Sequence, residues 1–168
     1  MRARCLLPLL TVLAWAVAPT PATAEPSVPA PVPAWSAPLG GELRVTRPFD
    51  PPSGPYAAGH RGVDLAGAPG APVVAAGDGV VVFAGMVAGR PVVSIDHPNG
   101  LRTTYEPVAP SVGAGRQVAR GSRVGTLVGG HARCPQEACL HWGLRRGETY
   151  LDPMMLLNPP QVRLLPMG

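Results

Sequence analysis

The sequence predicts an all-β fold, a single antiparallel β domain spanning residues 39–160 with few or no helices. Three observations carry that expectation. Glycine (21) and proline (23) are abundant among 168 residues, while charged residues make up only 14%, a composition that favours turns and short strands over long helices. Apolar residues alternate with polar or small ones in short runs, and no window sustains a period near 3.6. Turn-forming stretches such as Gly77-Asp78-Gly79 and Asn99-Gly100 separate the runs. The length is enough for one domain with a real hydrophobic core.

Taken in order, residues 1–24 read as a signal peptide. Arg2 and Arg4 precede an uncharged, mostly apolar segment over 5–18, and Ala22-Thr23-Ala24 supplies the small residues of a cleavage site. The segment is shorter than the roughly 20 residues a membrane span needs. The expectation is therefore a secreted protein, starting at Glu25, with no stable membrane insertion after cleavage. Residues 25–38 are rich in Pro, Ala and Ser, with Trp35 the only large apolar side chain, and read as a semi-extended linker. Order is expected from Leu39. Strands are expected at 43–46, 63–65, 72–76, 80–84, 92–96, 101–105, 117–119, 124–128 and 139–144, with a helical turn at 154–157. The pattern Gly70-x-x-Val73 leading to Val80 is echoed by Gly115-x-x-Val118 leading to Val124, which predicts a duplicated β-hairpin motif. The apolar segment from Tyr150 is expected to dock on the sheet, and 161–168 form a C-terminal tail.

All 14 basic residues are arginine, and the formal charge is +4. Without Arg2 and Arg4, twelve arginines face ten acids, scattered along the chain. That balance argues against nucleic acid as a partner.

Two stretches hold the residue types that do chemistry. His60 and Asp64 stand four apart, and His141 sits in an apolar, strand-like run. Side chains alternate on a strand, so His60, Gly62 and Asp64 share one face while Val63 and Leu65 point to the core. Cys139 and His141 likewise share a face, with Leu140 and Trp142 on the other. Two such strands side by side would aim His60, Asp64 and His141 at one point, with Gly62 leaving room beside it. Two imidazoles and a carboxylate suit zinc and leave one position for water. The spacing alone is common, and ordinary surface or core histidines remain the alternative. Cys134 and Cys139 are the two cysteines left after signal removal, and in an exported chain they are expected to form a disulfide. In the rival reading Cys139 is a thiolate and a fourth ligand, which would make the zinc structural.

The run from Gly59-His60-Arg61-Gly62-Val63-Asp64-Leu65 through Gly70-Ala71-Pro72-Val73 to Gly79-Val80-Val81 resembles the opening of a LytM/lysostaphin-type zinc metallopeptidase domain. The likeness continues through Val93-Ser94-Ile95-Asp96-His97-Pro98-Asn99-Gly100, Thr104-Tyr105 and 115–125. It closes at Leu140-His141-Trp142-Gly143-Leu144. The resemblance implies an antiparallel β domain with a groove that cleaves the stem or bridge peptides of bacterial peptidoglycan. It implies a zinc ion held by His60, Asp64 and His141. Two further family histidines fall on Cys139 and Pro107 here, so the metal ligands are intact while the proton-transferring groups are replaced. His131, in a glycine-hinged loop, and Tyr56, just upstream of His60, are the candidates to compensate; a solvent-exposed loop histidine and a packed tyrosine are the plain alternatives. Glu106 is a further candidate base, which alternation places on the opposite face from Tyr105 and Pro107. His97 is assigned no role.

Two functions follow. One is a secreted zinc metalloendopeptidase associated with the cell wall. The other is a catalytically impaired, zinc-bearing relative that binds wall peptides or regulates another hydrolase. A structural-zinc domain using Cys139 is the third reading. A sugar-transport or lipoyl-like β domain shares the Gly-x-x-Val pattern but needs no such histidines.

Overall fold

The period-two pattern becomes short strands arranged in two sheets. A computed structural model describes residues 34–54 and 57–158. The strands among them are β1 (Val45–Arg47), β2 (Gly62–Gly67), β3 (Pro72–Val74), β4 (Gly79–Val87), β5 (Arg90–Asp96), β6 (Leu101–Glu106), β7 (Val108–Pro110), β8 (Gln117–Val118), β9 (Arg123–Leu127), β10 (Ala138–Arg146) and β11 (Thr149–Leu151). The main sheet runs β1-β2-β10-β6-β5-β4-β8, with β11 paired to β10, and a small sheet runs β3-β9-β7. Every pairing is antiparallel. The all-β expectation holds.

Alternation sorts the main sheet into two faces. Val63, Leu65, Val93, Ile95, Tyr105, Leu140 and Trp142 lie on the inner face and are essentially solvent-free, packed in one cluster with Val73, Val124 and Leu127 of the small sheet. The opposite face carries Gly62, Asp64, Thr104, Glu106, His141 and Gly143. In register, Asp64 stands beside His141, and His141 beside Glu106. This places the polar face of β10, the strand between β2 and β6, at the middle of a groove floor.

The internal echo has a structural counterpart. β3 and β4 form one unit and β8 and β9 another, and they pair crosswise, β3 with β9 and β4 with β8. The connecting hydrogen bonds repeat. Gly70 N–H donates to Leu127 O at 2.9 Å and Leu127 N–H to Ala71 O at 2.8 Å; Gly115 N–H donates to Val81 O at 2.8 Å and Val81 N–H to Arg116 O at 2.9 Å. Gly70 and Gly115 adopt φ of 87° and 86°, a left-handed turn that glycine alone enters without a Cβ clash. The pattern is written in the sequence because the turn demands it.

The structure also differs from the expectations in places. β7 and β11 are three-residue strands that no alternating run can reveal, and β7 ends on Pro110, as suits an edge. The helical turn is 3₁₀, Pro153–Leu156, with the Asp152 side chain accepting from Met154 N–H. Packing begins before Leu39. Ser36 N–H donates to Ala76 O at 2.8 Å and Val74 N–H to Pro38 O at 3.0 Å, and a Cβ on Gly77 would lie 2.6 Å from the Trp35 ring. A half-buried aromatic side chain packed against a glycine anchors backbone whose composition reads as spacer. The signal peptide, most of the linker and the tail lie outside the described residues.

His97 acquires a structural role that its loop position did not suggest. Its Nδ1 lies 2.8 Å from Asp78 O and its Nε2 2.8 Å from Thr103 Oγ1, and the Trp35 ring packs edge-on at 4.7 Å. Burial pushes the imidazole below its ordinary range, against the opposing effects of the Asp78 carbonyl and the Asp96 and Asp78 charges. A His whose folded value is depressed stabilises the fold fully above its unfolded value, near 6.5, and loses that stability as pH falls below it. Urea midpoints are therefore expected to fall between pH 7 and pH 5, and the fall to be smaller for His97→Gln. An equal fall in both chains would refute the assignment.

Candidate metal centre

His60 is fixed first. Its backbone bridges Asp50, with His60 N–H donating to Asp50 O at 2.7 Å and Asp50 N–H to His60 O at 3.0 Å. Its Nδ1 lies 2.7 Å from the Pro48 carbonyl, which can only accept, so Nδ1 carries the proton and the neutral ring presents a lone pair at Nε2. Asp64 enters from β2 and His141 from β10, directly paired in register. Their ligand atoms converge. His60 Nε2 is 2.9 Å from Asp64 Oδ1 and 3.0 Å from His141 Nδ1, which is 2.9 Å from the same Oδ1. His60 and Asp64 are buried and His141 half-buried.

This convergence tests the fit of a cation. With its proton at Nδ1, neutral His60 turns a lone pair toward a carboxylate oxygen, an arrangement that is repulsive unless a proton or a metal lies between them. Bonds of about 2.0–2.1 Å in a tetrahedral shell set ligand atoms about 3.3–3.4 Å apart. The cluster meets that spacing by opening a few tenths of an ångström. The donor set, two nitrogens and an oxygen with the Pro48 carbonyl behind His60, fits zinc. Burial pushes the Asp64 carboxyl upward, but hydrogen bonds from His131 and His141, with the charge that His131 and His60 carry when protonated, outweigh it and hold the group well below the usual carboxylate range.

Gly62 makes the convergence possible. A Cβ there would lie 2.4 Å from the Trp142 carbonyl oxygen and 2.9 Å from the His141 ring, so any side chain displaces β10 or the imidazole.

The structure brings His131 to this cluster. The loop between β9 and β10 carries its Nε2 to 3.2 Å from Asp64 Oδ1, with the side chain 13% exposed, and the ring stacks on His141 at 5.9 Å between centroids. A turn in which Cys134 N–H donates to His131 O at 3.3 Å and the Cys134–Cys139 disulfide tie the loop to β10. With Cys139 Sγ bonded to Cys134, the thiolate-ligand reading does not apply to this structure.

Glu106 needs a correction. Alternation does separate it from Tyr105 and Pro107, but those two are the buried pair. The Tyr105 hydroxyl meets Thr103 Oγ1 and Ala76 N–H inside the core, where burial pushes it up to about 12. Glu106 is on the site face, opposite His141, with its carboxylate 2.9 Å from Arg90 Nε. Pro107 follows the end of β6 and is buried. Tyr56 lies outside the described residues. Sequence reading missed the arginines that surround the site: Arg47, Arg61, Arg90 and Arg133 line the groove with His60, His131 and His141. The signal was absent because they are far apart in the chain.

An antiparallel β domain with a His/Asp/His cluster in an open groove defines a lysostaphin-type fold and a metal-site geometry of the metallopeptidase kind. Residues 58–153 match Peptidase family M23, and the chain belongs to that family. It is 51% identical over 138 residues to the Mycobacterium tuberculosis protein described as "Uncharacterized protein Rv2891", covering 77% of this chain and 55% of that one; the chain thus spans about half the length of the curated relatives it matches. Among solved structures, the catalytic domain of the antimicrobial peptidase lysostaphin from Staphylococcus simulans is 25% identical with a TM-score of 0.59, covering 69% of this chain and 92% of that chain. Csd3 of Helicobacter pylori is 26% identical with a TM-score of 0.56, covering 76% and 36%.

Proposed function

We propose that the protein is an exported zinc endopeptidase that hydrolyses peptide cross-links of bacterial peptidoglycan. One observation carries the reading: three ligand atoms from three separated positions close to within hydrogen-bond distance of one another in a groove, with a third imidazole, His131, against their carboxylate. Membership of a peptidase family and the likeness to lysostaphin support the substrate class. The intact disulfide supports an oxidising, exported location.

His60 Nε2, Asp64 Oδ1 and His141 Nδ1 would hold zinc. When bound, it supplies a Lewis acid for the scissile carbonyl and lowers the pKa of an attacking water. The Pro48 carbonyl fixes the His60 ring and tautomer. The His131 imidazole, beside the cluster, takes the proton of the attacking water and returns it to the departing amine, the work of the two family histidines replaced by Pro107 and Cys139.

The second reading, a non-catalytic wall-binding relative, is favoured by those two replacements. Mass spectrometry of peptidoglycan fragments after incubation with the zinc-loaded chain separates the two. New peptide termini are expected, and His131→Ala should slow their appearance by about 100- to 10,000-fold while one zinc per chain is retained. An unchanged rate would remove His131 from the mechanism. No termini with zinc bound would establish the second reading.

A further inference from the structure

We infer that the groove leading away from the metal centre ends in a subsite for a neutral sugar ring, with Tyr150 as its stacking platform. The inference deepens the peptidase reading and rests on it for the substrate, since the peptides of peptidoglycan hang from sugar rings. The groove is continuous. Its first part holds His60, His131 and His141, and it shares Arg61, Glu106 and His141 with a second part that runs along β10 to Arg145 and Tyr150. The second part shares Arg61 and Tyr150 with a third, a cavity of about 460 Å³ walled by Pro51, Pro52, Glu148 and Thr149. That volume falls in the range of small-molecule sites.

The lining of this end selects for no charge. Its cation and its anion are both engaged. Arg61 lies with Cζ 5.4 Å from the centroid of the Tyr150 ring and donates from Nη2 to Ala57 O at 3.4 Å, and Glu148 meets Arg145 Nη1 at 3.4 Å. With one charge of each sign in the wall, no net field draws an anion or a cation. What remains is a flat aromatic ring, two prolines and the hydroxyl groups of Thr149 and Tyr150. A sugar ring matches that set, because its C–H face packs on an aromatic surface and its hydroxyls need partners that both donate and accept.

Tyr150 belongs to the apolar segment expected to dock on the sheet. Met154, Leu156 and Leu157 do pack against the core, but Tyr150 stays 39% exposed. It is set beside Arg145 by the pairing of β11 with β10. Arg145 stands four residues beyond His141 on the same face of β10, about 13 Å at the rise of a strand. A sugar on Tyr150 and a peptide bond at the metal centre are therefore joined by about four residues of extended chain.

The test uses the full chain and a fluorescently labelled triose of N-acetylglucosamine that carries no peptide, titrated by anisotropy with and without a zinc chelator. Saturable binding is expected with a Kd of about 1 mM or tighter, unchanged by the chelator. Tyr150→Ala should weaken it by about tenfold or more, whereas Tyr150→Phe, which keeps the flat ring, should stay within about threefold. Tyr150→Leu has apolar bulk but no flat face; it should weaken binding as the alanine variant does, and it decides if that variant fails to fold. No saturation by about 10 mM triose would overturn the inference, and so would equal affinity in Tyr150→Ala and the unaltered chain. Because no cleavage is read, triose binding stands even where peptidase activity is absent. Cleavage of peptidoglycan without triose binding sinks the subsite and spares the peptidase.

Discussion

Asp64→Ala is expected to reduce zinc affinity by well over 100-fold and to abolish cleavage of peptidoglycan peptides. Asp64 Oδ1 is the common neighbour of His60 Nε2 and His141 Nδ1 at 2.9 Å each, and of His131 Nε2 at 3.2 Å. Removing it deletes a ligand and the anion that offsets the metal's charge, and it leaves His131 without its anchor. Loss of an outer-shell partner alone typically costs 10- to 100-fold in metal affinity, so loss of a direct ligand sets that range as a floor. Competition against a zinc chelator reads the affinity, and fragment mass spectrometry reads the activity. The fold should survive, because the carboxylate packs against imidazoles rather than within the apolar cluster. His97→Gln is the matched control, since His97 hydrogen-bonds Asp78 and Thr103 away from the ligand cluster, and its zinc affinity should not change. Retention of tight zinc by Asp64→Ala would disprove the assignment of the centre.

Trp142→Ala is expected to destabilise the fold by about 3–5 kcal/mol. Trp142 is fully buried and heads the largest solvent-free side chains. It sits on β10 between His141 and Gly143, paired with Val63 on one side and Tyr105 on the other. Truncation empties the inner face of the strand whose outer face holds His141. Against a total stability of about 5–15 kcal/mol, the change should lower the thermal midpoint by about 10–20 °C. Metal binding by the surviving folded fraction should weaken as well, because His141 is aimed by a strand that has lost its backing. A midpoint within about 2 °C of the unaltered chain would mean that the core closes around the gap.

The architecture was legible because its causes are local. Alternation along 62–67 and 138–146 assigns each side chain to a face, and a one-residue slip would turn Asp64 and His141 into the core and expose Leu65 and Trp142. The glycines at 70 and 115 announce their turns because those turns need a left-handed backbone. Gly62 beside His60 and Asp64 was likewise readable, since a strand face that must receive a ring from its neighbour has no space for a Cβ. The cysteine pair was readable from its spacing and its isolation.

What the sequence by itself determined, then, is the β class, the internal repeat, the convergence of His60, Asp64 and His141 and the loop disulfide; the crosswise pairing of the repeat came from the structure. Tertiary structure alone decided the rest. Whether His131 reaches Asp64 depends on how a glycine-hinged loop folds back, which no periodicity encodes. Glu106 joined the site face because β6 pairs with β10 in one register, and that pairing is set by the packing of both strands. Trp35 left the linker because Gly77, 42 positions later, offers its ring a flat surface. The scattered arginines at 47, 61, 90 and 133 line the site only after the sheet closes; charge along a chain has no direction until the backbone gives it one.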